Sequence, residues 1–286
     1  MSTPMLEEVN GRTHHYNAEA TILSGNLRLP LVREITRRAH VSLPQEGGYI
    51  SMREEDYRLE GVLSFRSAYT QVAGNRSTKP GQGWTTLTTT AIDGLNVLDV
   101  LTADRIVGQS ITEHALEGYV PSINFLGTRF ENLRIAGHPV ALDLDLNILG
   151  SKPAKDASYA QDSGVVSRIK SQYARTLESD GLPVELRERY NRLISTLGSP
   201  EAVECSLVNR ATGDYPGRSF GHVIDIPDFG KIVLGKLIVT HEDFKPGTGT
   251  PRKTTIRLTM VDLQLGCAAD GSVPIGSGST NGGTMP

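Results

Sequence analysis

Residues 220–234 read FGHVIDIPDFGKIVL, and this stretch decides the class of fold. Phe220, His222, Ile224 and Ile226 take every second position, which on an extended chain places them on one face. Pro227-Asp228-Phe229-Gly230 then breaks the pattern. Proline presets φ for a turn, and glycine accepts the positive φ that closes it. The chain resumes as Lys231-Ile232-Val233-Leu234, apolar on both faces and so expected in the interior of a sheet. The stretch is a β-hairpin.

Working outward, Thr254 to Cys267 reads as a partner strand in which the apolar phase changes. Ile256, Leu258 and Met260 hold one phase; Val261, Leu263 and Leu265 hold the other. An inserted residue produces such a change, so a β-bulge is expected near Met260 and Val261. Upstream, Val140, Leu142, Leu144, Leu146 and Ile148 alternate with Asp143, Asp145 and Asn147, a strand with one dry face. Leu133 and Ile135 precede it across the turn Ala136-Gly137-His138-Pro139, which reads as a second hairpin. Earlier strands are expected at Ala18–Leu31, Tyr57–Val72, Trp84–Ile92 and Tyr119–Phe125. Leu95 to Ile111 fits either a helix or a strand, and its Val, Ile and Thr content favours strand. The expected fold is mainly β: an antiparallel β-sandwich or barrel, with Leu142, Leu144, Leu146, Ile224, Ile226, Ile232 and Leu234 in its core.

One segment has helical spacing. Val166, Ile169, Tyr173 and Leu177 follow Ser163 as N-cap, Ser179-Asp180-Gly181 turns the chain, and Pro183 opens a second stripe of Leu186, Tyr190, Leu193 and Leu197. Gly198 and Pro200 end it. Residues 163–198 are thus expected to be an αα-hairpin inserted into one β domain spanning 18–267, packed through Ile169, Tyr173, Tyr190 and Leu193. Residues 1–17 form a polar N-terminal segment. Residues 268–286, rich in Gly, Ser and Thr with only Val273 and Ile275 apolar in pattern, read as a mobile tail that can be deleted without loss of the fold.

The bulk properties narrow the function. A chain of 286 residues buries a proper core, and 38% hydrophobic content with mean hydropathy −0.24 describes a soluble globular protein. Net charge −3 and a pI near 6.2 provide no global positive field for nucleic acid. Arg28, Arg33, Arg37 and Arg38 read as a solvated face. No basic region followed by an apolar run opens the chain, and the apolar stretch Ile232–Val239 is broken by Gly235 and Lys236, so no membrane span is expected. The expected compartment is cytoplasmic, or extracellular for a processed chain. Cys205 and Cys267 are too few for a disulfide framework or a closed zinc site, leaving buried thiols or a single bridge.

Catalytic signatures are missing. GxSxG and HExxH do not occur, and Gly230-KIVL-Gly235-Lys236 fails as a phosphate loop because Leu237 stands where Ser or Thr is needed and KIVL is strand-forming. The seven histidines lack the i, i+2 or i, i+4 spacing of a metal pair. Asp143, Asp145 and Asn147 lie about 7 Å apart along a strand, too far to converge on one calcium without a second loop. No cofactor or metal is therefore expected. Trp84, the only tryptophan, follows Gly81-Gln82-Gly83 and is the one residue proposed to touch a ligand, as a stacking platform.

The stretches TTLTTTAIDGLNVLDVLTADRIVGQS, GYVPSINFLGTRFENLRIAGHPVALDLD and RLTMVDLQLGC resemble bacterial β-rich proteins of uncharacterised function. The resemblance covers about half of the chain, implies a β fold and a bacterial source, and carries over no site residue.

Three functions compete on these grounds. A structural, self-associating protein is favoured by the β-dominated body, the missing catalytic motifs and the end segments, which ordering by a neighbouring copy would hold. A carbohydrate or small-ligand binding module would use Trp84 and nearby tyrosines. An enzyme with a dispersed site would draw on His222, His241 or Asp262.

Overall fold

Strands with one dry face must cover it, and two sheets packed face to face are the simplest way. The computed structural model describes residues 8–9, 12–29, 32–59, 61–199, 201–243, 252–266 and 270–285. With 58% strand against 13% helix, the protein is mainly β and β-sandwich-like, its antiparallel sheets packed on each other.

The first sheet runs in the order Arg33–Arg38, Ala18–Leu29, Asp270–Thr280, Arg252–Leu265, Gly230–Glu242, Val223–Ile226 and Arg218–Phe220, with Ala202–Ser206 also on Gly230–Glu242. The second runs Gly48–Leu59, Leu63–Arg76, Gln82–Val97 and Leu101–Ala115, continued by short strands within 122–135. The turn of the opening hairpin forms as read, with Val223 paired to Val233 and Ile226 to Gly230, and the returning strand is interior with partners on both sides. The first strand is shorter than expected, because the chain turns at Gly221-His222 and Phe220 lies on a separate strand, Arg218–Phe220, paired back onto Val223. Ile224, Ile226, Ile232 and Leu234 are buried.

Leu95–Ile111 is two strands. Leu98 and Asp99 adopt positive φ (53° and 55°), Val97 pairs with Leu101, and the Asn96 side chain accepts the Asp99 N–H at 2.9 Å. Tyr57–Val72 is likewise divided, Leu59 pairing with Leu63 across a tight turn. The expected Tyr119–Phe125 strand is reduced to Ser122–Asn124.

The alternation at Val140–Ile148 yields a strand over Ala141–Leu144 alone, and it pairs with Val208–Thr212 instead of the preceding hairpin. Asp145 ends it: its carboxylate accepts the Asn147 N–H at 3.0 Å and turns the chain. Leu142, Leu144 and Leu146 are consequently half-buried, packed on the core's margin. The helical hairpin forms as α1 (Ser163–Leu177) and α2 (Val184–Thr196). Its N-cap is Asp162, one residue before the expected Ser163, because the Asp162 carboxylate accepts the Val165 N–H at 2.9 Å. Ile169, Tyr173 and Tyr190 are buried, and Leu193 packs half-buried beside them.

The expected bulge at Met260 and Val261 is absent. Val261 pairs with Leu234 and Ile275, Thr259 with Lys236 and Ser277, so the register is unbroken and no residue is inserted. Instead, the residue opposite Met260 in both neighbours is a glycine at positive φ, Gly235 (59°) and Gly276 (65°). Each neighbour changes its buried phase at the same line, from Ile232 and Leu234 to Leu237 and Val239 in one of them. The second sheet repeats the device: Asp56 (φ 53°) and Gly94 (φ 67°) stand opposite Arg66, where burial passes from Leu63 and Phe65 to Ala68 and Val72. A shared irregularity keeps the strands in register, whereas a bulge in one strand alone would not.

The expected tail is the largest correction. Asp270–Thr280 is an inner strand, pairing with Arg252–Leu265 on one side and Ala18–Leu29 on the other, and Gly283–Met285 pairs with Arg12–His15. Its glycines are what admit it. Positions 276 and 278 meet the threonines of the second sheet: a Cβ on Gly276 would lie 3.4 Å from Thr90 Oγ1, and one on Gly278 would lie 3.0 Å from Thr88 Oγ1. The buried hydroxyls bond to each other, Thr88 and Ser110 at 2.5 Å. Backbone pairing and close approach replace the apolar side chains that the sequence reading sought. Cys205 is a buried free thiol, its pKa raised by burial; Cys267 lies outside the described residues. No helix among the described residues is long and apolar enough to cross a membrane.

Candidate functional site

Trp84 is fully buried (0% exposed), so neither face of its indole is open to a sugar. It stacks on His14, ring centroids 4.9 Å and planes 9° apart, and His14 in turn meets Tyr16 and His114, each at 4.7 Å. Burial drives both imidazoles toward the neutral form, His114 to a pKa of about 4 and His14 to about 2, the second lowered further by its neighbour. The cluster ties the N-terminal strand to the second sheet; it is a core anchor.

The dispersed-site candidates are not brought together. His222 is buried under α2, its Nε2 3.1 Å from the Tyr190 hydroxyl, with a pKa lowered to about 3 by burial and by Arg189. His241 lies 3.1 Å from Thr254 Oγ1 and 3.5 Å from an Asp243 carboxylate oxygen. Asp262 faces Lys236 at 3.5 Å. Among the described residues no hydrogen bond joins these three to one another, and no group of three or more His, Cys, Asp or Glu is placed to hold a metal.

The feature that stands open is an edge. Gly48–Leu59 pairs only with Leu63–Arg76 among the described residues, leaving a row of backbone N–H and C=O groups along 12 residues without a strand partner. Its side chains are mostly exposed, including Tyr49 (60%) and Met52 (46%). The outward face is polar and ordered: Tyr49 and Tyr69 hydroxyls lie 2.9 Å apart, Tyr69 donates to Gln71 at 3.0 Å, and Arg53 pairs with Glu55 at 2.9 Å. The inward face is held down, Glu54 by an ion pair with Arg38, whose guanidinium lies 4.9 Å from the centre of the Tyr57 ring. Tyr57 stacks on Phe65 at 5.1 Å. The backbone edge is therefore exposed on a strand whose position is fixed. Sequence reasoning missed most of it, because Arg53-Glu54-Glu55-Asp56 reads as a solvated run; the alternation of Ile50, Met52 and Glu54 against Tyr49, Ser51 and Arg53 carried only a weak signal.

These features define a β-sandwich-like protein with an inserted helical hairpin and a long exposed edge. The chain belongs to the family described as a domain of unknown function, DUF8256, whose pattern matches residues 14–240. The match takes in the second sheet, both helices and the open edge. No curated protein and no solved structure matches the chain.

Proposed function

We propose that this is a structural protein that self-associates by pairing its Gly48–Leu59 edge with the same strand of a second copy. The observation that supports this reading is the open edge together with its self-complementary charges. A two-fold axis normal to the sheet keeps the outward face outward, so close to the axis, short of the irregularity at Asp56, residues of like parity come opposite each other. Centring the axis on Glu54 sets Arg53 opposite Glu55 of the second copy, twice by symmetry. The Glu54 carboxylates that approach the axis are each already compensated by Arg38. Backbone hydrogen bonds supply the affinity in strand addition, and the charge pairs, worth about 0.2–1 kcal/mol each, select the register. For the C-terminal segment, the route expected from sequence has less to recommend it than the open edge, since Asp270–Thr280 already has strand partners on both sides within its own chain.

Sedimentation velocity over a range of concentrations tests the proposal. Arg53→Glu and Glu55→Arg each set like charges opposite one another and should weaken association; the double variant restores opposite charges and should recover it. A wild-type chain that stays monomeric throughout, or a double variant as impaired as the singles, would overturn the reading.

A further inference from the structure

We propose that the cleft between α1 and the Val208–Thr212 and Arg218–Phe220 strands binds a small zwitterion of short-peptide size, with a free amine and a free carboxylate. The cleft encloses about 840 Å³ and is independent of the open edge. Asn209, Ala211, Tyr215 and Ser219 contribute to its lining. One of its arginines, Arg175, is set in place by hydrogen bonds. Arg175 donates to Asn209 Oδ1 at 3.1 Å, and Asn209 Oδ1 also accepts from Gln172 at 3.2 Å. Gln172 is buried and clamps both backbone groups of Ser206 at 2.9 Å. Arg218 is exposed, and its guanidinium lies over Gly181 in the turn between the helices.

The charges decide the class of ligand. Arg175, Arg210 and Arg218 line the cleft together with Asp143, Glu178 and Asp180. Among the described residues, no ion pair within 4.0 Å joins any of these six, whereas Arg189–Glu204 and Lys236–Asp262, outside the cleft, do pair. Guanidinium and carboxylate groups held apart in one cleft are bridged by a ligand that carries both signs. A purely anionic ligand would be repelled by the three carboxylates, and a purely cationic one by the three arginines. The Asn209 side-chain NH2 and the exposed backbone at Gly213 and Gly217 suit the amide groups of a peptide between its two ends.

Titration with triglycine, followed by calorimetry and by the arginine side-chain resonances, tests this, with N-acetyl-triglycine and triglycine amide as the two charge-deleted arms. Triglycine should bind saturably and shift Arg175 and Arg218, and each capped form should bind about tenfold more weakly. Arg218→Ala and Glu178→Gln, both at exposed positions, should each weaken binding by a similar factor, while Arg187→Ala outside the cleft leaves it unchanged. Equal binding of the acetylated peptide would reduce the cleft to an anion site and overturn the proposal. So would the absence of saturation by triglycine at millimolar concentration in a chain with unaltered thermal unfolding.

Discussion

Gly278 stands against Thr88 so closely that a Cβ on the glycine would lie 3.0 Å from the threonine Oγ1. This contact between the last long strand and the second sheet explains why a segment with few apolar residues is buried. Gly278→Val should force the sheets apart and destabilise the protein by about 1–3 kcal/mol, the usual cost of overpacking. Thermal unfolding checks it, with Ser279→Val, on the other face of the same strand, expected to change little.

Deleting residues 270–285 should abolish folding. The deletion exposes the paired edges of both Arg252–Leu265 and Ala18–Leu29 and uncovers the threonine-lined interface. Loss of near-ultraviolet dichroism and of cooperative unfolding is the expected result; a truncated chain that unfolds cooperatively at the wild-type midpoint would contradict the strand's interior place.

Acid should loosen the protein through His114. Its folded-state pKa of about 4 lies below the ordinary 6.5, so the unfolded chain binds the proton more readily between these values. The contribution is fully present above pH 6.5 and is lost as pH falls toward 4, amounting to about 3 kcal/mol at about 1.4 kcal/mol per pH unit. His14, with a pKa of about 2, adds a loss of the same sign that continues to lower pH. Urea unfolding at several pH values should show a shallower slope over this window for His114→Gln than for the wild type.

Tyr190→Phe removes the hydroxyl 3.1 Å from His222 Nε2 and leaves a buried ring nitrogen without that partner. A loss of about 1–3 kcal/mol is expected, the cost of one unsatisfied buried polar group. Hydrogen exchange on the same variant should show faster exchange in α2 and little change in the second sheet.

Much of the fold was legible because it is written locally. The 220–234 hairpin needs only alternation and a Pro-Asp-Phe-Gly turn, and the two helices need only a stripe of apolar residues with a glycine turn between them. These features depend on neighbours within a few residues, so periodicity finds them. The returning hairpin strand and both helices form close to their expected bounds, while the first hairpin strand loses Phe220 and His222 to a turn that alternation alone does not reveal.

Other features belong to the tertiary structure alone. Trp84 looks in sequence like a ligand platform; only the approach of His14, from a strand of the first sheet, shows it to be buried. Gly276 and Gly278 look like a flexible linker until Thr88 and Thr90 are placed across from them. The open Gly48–Leu59 edge and the Arg175–Arg218 cleft arise from which strands find no neighbour and which loops meet. Amino-acid sequence by itself determined the mainly β class, the Pro-Asp-Phe-Gly hairpin turn and the helical insertion, since these rest on short-range periodicity and turn chemistry. Strand order, the burial of a glycine-rich end and the position of every candidate site were decided by pairings between residues distant along the chain, which local pattern does not encode.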